Sequence, residues 1–341
     1  MRRLLIALFL TFTGVTIPCG AFAAGLCCQL SSGVQESLLG VASPEAQKIS
    51  LQLTYSFTLM DKLKEGSTER SVEDVMDAGK YMSIPTRMEM TKYTLTAAYG
   101  FSPKFSVFVS IPYIRNTMDM EMFMSMGMGM PKEWMKHAMD PVEDIGDVTV
   151  MGLYRIYTDR DIRPTDTLTL GAGIKTPTGS STKKISSGKF VHAHMQPGTG
   201  SWDPLLSLVY TKMANPFLLQ GDVTYQITTR NSDGYEFGDS FTANVSGKYS
   251  VTSFFNITSG FSYLHLNRAS DRDGKYTNLK SLMDDPANTG GDSIWFSPGI
   301  QVLPIKNSMI DLKVQFPLWE RVNGIQLVSN YRILLGLTYS F

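Results

Sequence analysis

The residues of this chain most able to do chemistry lie between positions 118 and 139. Methionine occupies every second position: Met118, Met120, Met122, Met124, Met126, Met128 and Met130. Trp134, Met135, His137 and Met139 follow directly. In an extended backbone alternate side chains share one face, so these thioethers would stand about 6.5–7 Å apart along it. Soft thioethers favour Cu(I) and imidazole is acceptable to the same metal, so the pattern describes a candidate soft-metal site. His192 and His194, at i and i+2, and Met195 form a second group that could join it. The competing reading needs no metal. Methionine is a flexible filler of irregular apolar gaps, and a methionine face could fold into a barrel mouth as a plug. A row of thioethers could also serve as a sacrificial target for oxidants. Packing is the default for this residue type; copper is the sharper hypothesis.

Other reactive residues form no coherent site. Trp134 beside Met135, His137 and Met139 is similar in ingredients to periplasmic Cu(I) carriers, which extends the metal reading but adds no catalysis. The adjacent Cys27 and Cys28 could form a vicinal disulfide, bridge to a partner or bind a soft metal; Gly25-Leu26 before them is no lipidation box. His265 has no nucleophile at a useful spacing, and no Ser/His/Asp or paired-carboxylate arrangement occurs, so an enzyme is not expected. Asp271, Asp273, Asp284 and Asp285 could be imagined around calcium, but their spacing fits no known binding loop.

The elements that must position these residues are strands. Ile49, Leu51, Leu53, Tyr55 and Phe57 alternate with Ser50, Gln52, Thr54 and Ser56; Phe241, Ala243, Val245 and Tyr249 alternate with Thr242, Asn244, Ser246 and Lys248. Similar runs centre on 93–101, 104–114, 146–157, 167–175, 201–211, 217–228, 254–265, 293–303, 308–318 and 330–341. They predict an all-β fold: a transmembrane antiparallel up-and-down barrel of about twelve strands. Short links near 101–104, 158–165, 213–216, 251–253 and 303–307 alternate with long ones at 60–85, 116–143, 178–199, 229–239, 267–292 and 319–328. That parity predicts short periplasmic turns and long outer loops.

The same alternation predicts inward, lumen-lining positions for Asp147, Arg155, Lys175, Asp203, Asp222, Lys248, Lys313 and Arg332 among Ser, Thr, Gln and Asn. The mixed signs predict a lumen without strong ion selectivity.

Both ends of the sequence point to one compartment. Arg2 and Arg3, an apolar run from Leu4 to Val15 and Ala21-Phe22-Ala23 read as a signal peptide over residues 1–23. Residues 24–46 then form a periplasmic segment and 47–341 the barrel. The formal charge is zero and falls slightly below it without Arg2 and Arg3, so no nucleic-acid partner is expected. The last strand carries Tyr331, Ile333, Leu335, Leu337 and Tyr339 on one face and ends on Phe341. It resembles the closing strand of outer-membrane barrels, which implies recognition by the barrel-insertion machinery.

Three motifs carry a more specific resemblance: Glu143-Asp-Ile-Gly-Asp-Val-Thr-Val150 with Gly152-Leu-Tyr-Arg155, Lys175-Thr-Pro-Thr-Gly179, and Gly198-Thr-Gly-Ser-Trp-Asp203. They resemble the MetA-pathway-of-phenol-degradation family of outer-membrane transporter proteins, over roughly residues 45–341. The resemblance implies a barrel passing small, hydrophobic or aromatic compounds and implies no catalytic residues. The sequence therefore predicts an outer-membrane channel for a small solute, in contact with lipid and requiring no cofactor. A Cu(I)-handling barrel is the alternative, and a structural barrel without transport the third reading.

Overall fold

The computed structural model describes residues 46–125, 132–162, 164–184, 188 and 190–341. The expected signal peptide, most of the segment before the barrel, Cys27-Cys28 and Met126, Met128 and Met130 lie outside the described residues. Twelve antiparallel staves close into a barrel. They are β1 (Ile49–Glu65), β2 (Ser83–Gly100), β3 (Phe105–Ser125), β4 (Thr149–Thr158), β5 (Asp166–Lys175) and β6 (Asp203–Ala214). β7 (Phe217–Gln226), β8 (Ser240–Ser250) and β9 (Phe255–Leu266) follow. A broken stave β10 (Gly291–Phe296 and Gly299–Val302), β11 (Ser308–Val322) and β12 (Ile325–Ser340) complete the wall. Each strand pairs with its sequence neighbours, and β12 returns to β1 from Ser50↔Ser340 upward.

Closure gives every stave two neighbours and so limits the unpaired backbone that the hydrocarbon core would penalise. The register then sorts the side chains. Leu51, Leu53, Leu95, Ile111, Leu170, Leu206, Leu312, Leu335 and Leu337 stand exposed on the outer face, while Ser50, Gln52, Thr54, Lys92, Thr94 and Thr96 are buried inside. Aromatic rings collect at the rim with the short turns, where Phe101 lies 4.7 Å from Tyr99 and Tyr339 4.8 Å from Phe341. A second group, including Tyr55 and Tyr93 at 5.3 Å, rings the opposite end. An apolar belt between two aromatic girdles is the surface an outer-membrane barrel presents to lipid, and this protein is one.

Three expected loops are largely strand. β3 runs on to Ser125, where 116–143 was expected to be loop, and pairs with a returning arm at Lys132–Ala138. The methionine alternation is itself the reason, since the period-2 pattern continues the strand beyond the membrane. β1 likewise extends to Glu65 and β2 begins at Ser83, bracketing a single-turn helix α1 (Val72–Asp77) capped by Ser71 and Asp74. The expected loop at 319–328 contracts to Asn323-Gly324, with Gly324 at φ +58° as so tight a connection requires.

Candidate functional site

The outer half of the lumen is filled. Met60, Ile84, Met88, Met118, Met120 and Met195 are buried in one apolar cluster, joined by Val75 of α1, Leu282 of the long 267–290 loop and Leu327 of β12. Met122, Trp134 and Met139 pack against it half-buried, Met124 is also half-buried, and His137 is exposed. The first rungs of the methionine ladder thus form part of a plug. Register places Met120 opposite His137 and Met122 opposite Met135, so four of the candidate metal ligands are cross-strand neighbours. His192, His194 and Met195 sit in a separate inward loop. His192 Nδ1 lies 2.5 Å from Asp284, and His194 packs edge-on against Phe237 and Tyr235. Burial of His194 pushes its pKa down to about 4.

The plug is held by charge pairs. Lys175 Nζ lies 2.6 Å from Asp203 and 3.4 Å from Asp147, and it donates to Thr199 Oγ1 at 2.8 Å. Asp147 accepts the Gly179 and Thr199 N–H groups at 3.0 and 2.8 Å, and Asp203 accepts Thr229 N–H at 3.0 Å. These bonds tie two outer loops to the wall. Here the three sequence motifs converge: a Cβ on Gly179 would fall 2.8 Å from both Gly146 C and Gly198 Cα. Three backbones therefore cross at a point where only glycine fits. Elsewhere Lys64 pairs with Glu320 at 2.9 Å and Lys80 with Asp285 at 3.0 Å. The carboxylates imagined around calcium are engaged in such bonds: Asp271 Oδ2 accepts the N–H groups of Tyr276 and Thr277, each at 2.8 Å.

Below the plug lies a cavity of about 510 Å³, bounded toward the short turns by Pro164, Met213, Leu218 and Met309. Its wall mixes Thr, Ser, Asn and Gln with Leu153, Val209, Leu264, Trp295 and Leu334. The lumen is therefore not uniformly polar, and a compact apolar cluster of Phe108, Met151, Leu153 and Leu205 borders it. The charges are segregated rather than mixed. Arg155, Lys248, Lys313 and Arg332 line the cavity, and among the described residues no carboxylate lines it. Asp147, Lys175 and Asp203 face inward but are sealed in the outer junction. Asp222 is buried beside the cavity and accepts the Asn244 amide at 2.6 Å. Alternation carries no information about depth or partner, so mixed signs along the sequence do not translate into a mixed lining of the cavity.

One stretch of wall is unpaired. β11 and β12 are bonded from Ser308↔Tyr339 to Gln315↔Arg332. Above that level β11 stays on β10 as far as Val322 and β12 on β1 as far as Ile325, but no β11–β12 pair continues among the described residues. Register shifts in the β1–β12 ladder at Met60 turn upper β12 inward, so that Gln326, Leu327, Val328 and Ser329 are all buried. Behind this seam sits an apolar cluster of Leu264, Leu266, Trp295, Val322 and Val328. Phe316, Leu318 and Trp319 stand exposed on its outer side. Residues 288–290 brace the top: Gln326 Nε2 donates to Gly290 O at 2.8 Å and Asn323 Nδ2 to Thr289 O at 3.0 Å. The seam has local signs in the sequence: Pro317 has no N–H to donate to a ladder, and the apolar pairs Leu318-Trp319 and Leu327-Val328 interrupt the two-residue alternation. His265, by contrast, faces outward as alternation requires, with Nδ1 2.8 Å from Asp292.

Known structures share the architecture. An outer membrane channel from Pseudomonas putida F1 superimposes with a TM-score of 0.57 at 14% identity, covering 88% of this chain and 97% of that one. The CymD monoaromatic hydrocarbon channel gives 0.46 at 10% identity over 94% of each chain. The Ralstonia pickettii toluene transporter TbuX gives 0.42 at 10%, over 95% of this chain and 96% of the other. No curated protein matches the sequence. The family profile described as "Putative MetA-pathway of phenol degradation" matches residues 120–326, more than half of the chain and inclusive of all three junction motifs. The chain belongs to that family of outer-membrane β-barrel proteins.

Proposed function

We propose that this barrel carries small solutes with an apolar body across the outer membrane. The solute passes from the outer leaflet through the β11–β12 seam into the cavity and leaves toward the short turns. The observation that carries this reading is the seam itself: the wall ladder stops where an apolar cluster meets the bilayer, directly above a 510 Å³ cavity of the size that holds a small organic ligand. A plug of buried methionine, leucine and isoleucine closes the straight route from outside, which disfavours a general pore for hydrophilic solutes. The likeness to barrels that carry hydrocarbon or toluene channels as their names agrees with this route. Uptake of radiolabelled benzyl alcohol into cells with and without the barrel tests it. Faster uptake with the barrel is expected; equal rates would overturn the reading.

A second reading belongs to the arm alone. Met120, Met122, Met135 and His137 are brought side by side by the cross-strand register and offer three thioethers and an imidazole to Cu(I). Titration of the purified barrel with Cu(I), beside a Met122→Leu/Met135→Leu variant, tests it: unchanged stoichiometry in the variant would remove the arm from consideration.

A further inference from the structure

The seam is crossed by an ion pair. In the sheet order β12 lies between β1 and β11, yet Lys64 of β1 reaches Glu320 of β11 directly, with Nζ 2.9 Å from Oε2. Glu320 is buried and Lys64 half-buried. The contact is possible because upper β12 is drawn inward, where Leu327 joins the plug and Val328 the apolar cluster behind the seam. The Lys64 side chain therefore spans the stretch of wall that the β11–β12 ladder leaves unpaired. Higher up, a backbone bond follows the same line: Val322 N–H donates to Gly66 O, in the turn after β1, at 2.9 Å. Below, the ladder resumes at Gln315↔Arg332. Between those levels Phe316, Leu318 and Trp319 stand exposed on the outer face, and the ion pair ties β1 to β11.

Such a link has a property that a ladder lacks. Parting a ladder exposes a row of backbone groups to hydrocarbon. Lys64 swings on a flexible stem, so the pair can part and re-form without moving either strand. Trp319, next to Glu320, is exposed where tryptophan marks the headgroup level, so the released ammonium meets water and lipid headgroups. The pair still resists casual opening, because Glu320 alone would be a buried carboxylate without a counter-charge. The junction pair of Lys175 with Asp203 is built differently. There Asp147 and loop N–H groups reinforce it, whereas Glu320 is bonded among the described residues by one side chain, Lys64. One is a fastening; the other can open.

We propose that Lys64 and Glu320 form the latch of the lateral entrance. Paired, they close the seam to solutes in the outer leaflet. Parted, they free upper β11 and β12 to separate and admit an apolar body to the cavity. This rests on the transport reading above and adds its regulation.

Two readouts separate the latch from transport itself. One is hydrogen exchange of the 316–331 backbone, followed by mass spectrometry on the full barrel in nanodiscs. The other is uptake of benzyl alcohol by cells. Glu320→Gln and Lys64→Met should each raise both by about fivefold, the weight of one partly exposed ion pair in an open–closed equilibrium. The charge-swapped Lys64→Glu/Glu320→Lys and the conservative Lys64→Arg should return both to within about twofold of wild type. Uptake of arabinose, a hydrophilic solute, should stay unchanged throughout, since the plug remains closed. Lys64 is only half-buried, so Lys64→Met decides the matter if Glu320→Gln fails to insert. Unchanged exchange, unchanged benzyl alcohol uptake through a barrel that transports it, or arabinose uptake rising in step overturns the inference. If no form of the barrel speeds benzyl alcohol entry, the transport reading falls, and faster exchange alone leaves the pair as the closure of the seam.

Discussion

The two halves of the lumen are made of similar residues and solve opposite problems. The outer half gathers Met60, Met88, Met118, Met120 and Met195 into a dry cluster and closes its charges in pairs such as Lys175 with Asp203. The inner half keeps a chamber of about 510 Å³ and leaves its cations facing it. Lys175 and Lys248 show the contrast at residue level. Both are lysines on the inward face of a strand, yet one lies 2.6 Å from a carboxylate and the other has no partner among the described residues. Stability is concentrated where charges are paired and apolar side chains touch; recognition requires groups that folding has left unsatisfied. The proposed transport route accordingly uses the half that contributes less to holding the barrel mouth together.

The contrast can be broken most severely at the glycine junction. Asp203→Ala removes the 2.6 Å partner of a nearly buried lysine and the acceptor of Thr229 N–H. Breaking a buried pair from one side costs about 3–5 kcal/mol, so the two tethered loops should release and single-channel conductance should rise sharply. Wild-type conductance in that variant would mean that the junction does not hold the plug. Next in size is Met118→Ala, which empties a buried site in the plug. A loss of about 2–5 kcal/mol is expected in denaturant unfolding, against almost none for Met213→Ala at the solvated end of the chamber.

Acid should loosen the plug in a defined window. Burial lowers His194 to about 4 from its ordinary 6.5, with Asp284 opposing the shift and His192 adding to it. The closed plug therefore binds fewer protons than an opened one between those values. Its stability is complete above about pH 6.5 and is lost as pH falls toward about 4. Conductance should rise over that interval and should not in His194→Phe; a flat wild-type profile would separate His194 from gating. The smallest effect is expected from Met122→Leu, a near-isosteric change at a half-buried rung, which should alter stability by less than about 1.5 kcal/mol. A larger loss would show that the arm does more than pack.

Much of the barrel was legible because alternation is local. Leu335 and Leu337 outward with Arg332 inward follow from a two-residue period alone, as does the continuation of β3 through the methionines. The motif glycines were visible as motifs, but their reason was not. Gly146, Gly179 and Gly198 matter because three distant segments cross there, a fact of tertiary contact.

What the sequence by itself determined is the face each side chain takes, the number of staves and the compartment. Each follows from a repeat shorter than one strand and from the need of a membrane-spanning sheet to pair all its backbone groups. Depth and partnership were decided only in three dimensions. A charge that points inward meets its counter-ion or the chamber according to the stagger of strands far apart in sequence, and no local period encodes that stagger. For that reason the sequence could name Lys175 and Lys248 together as lumen residues, and only the folded barrel could make one a fastening and leave the other turned to the chamber.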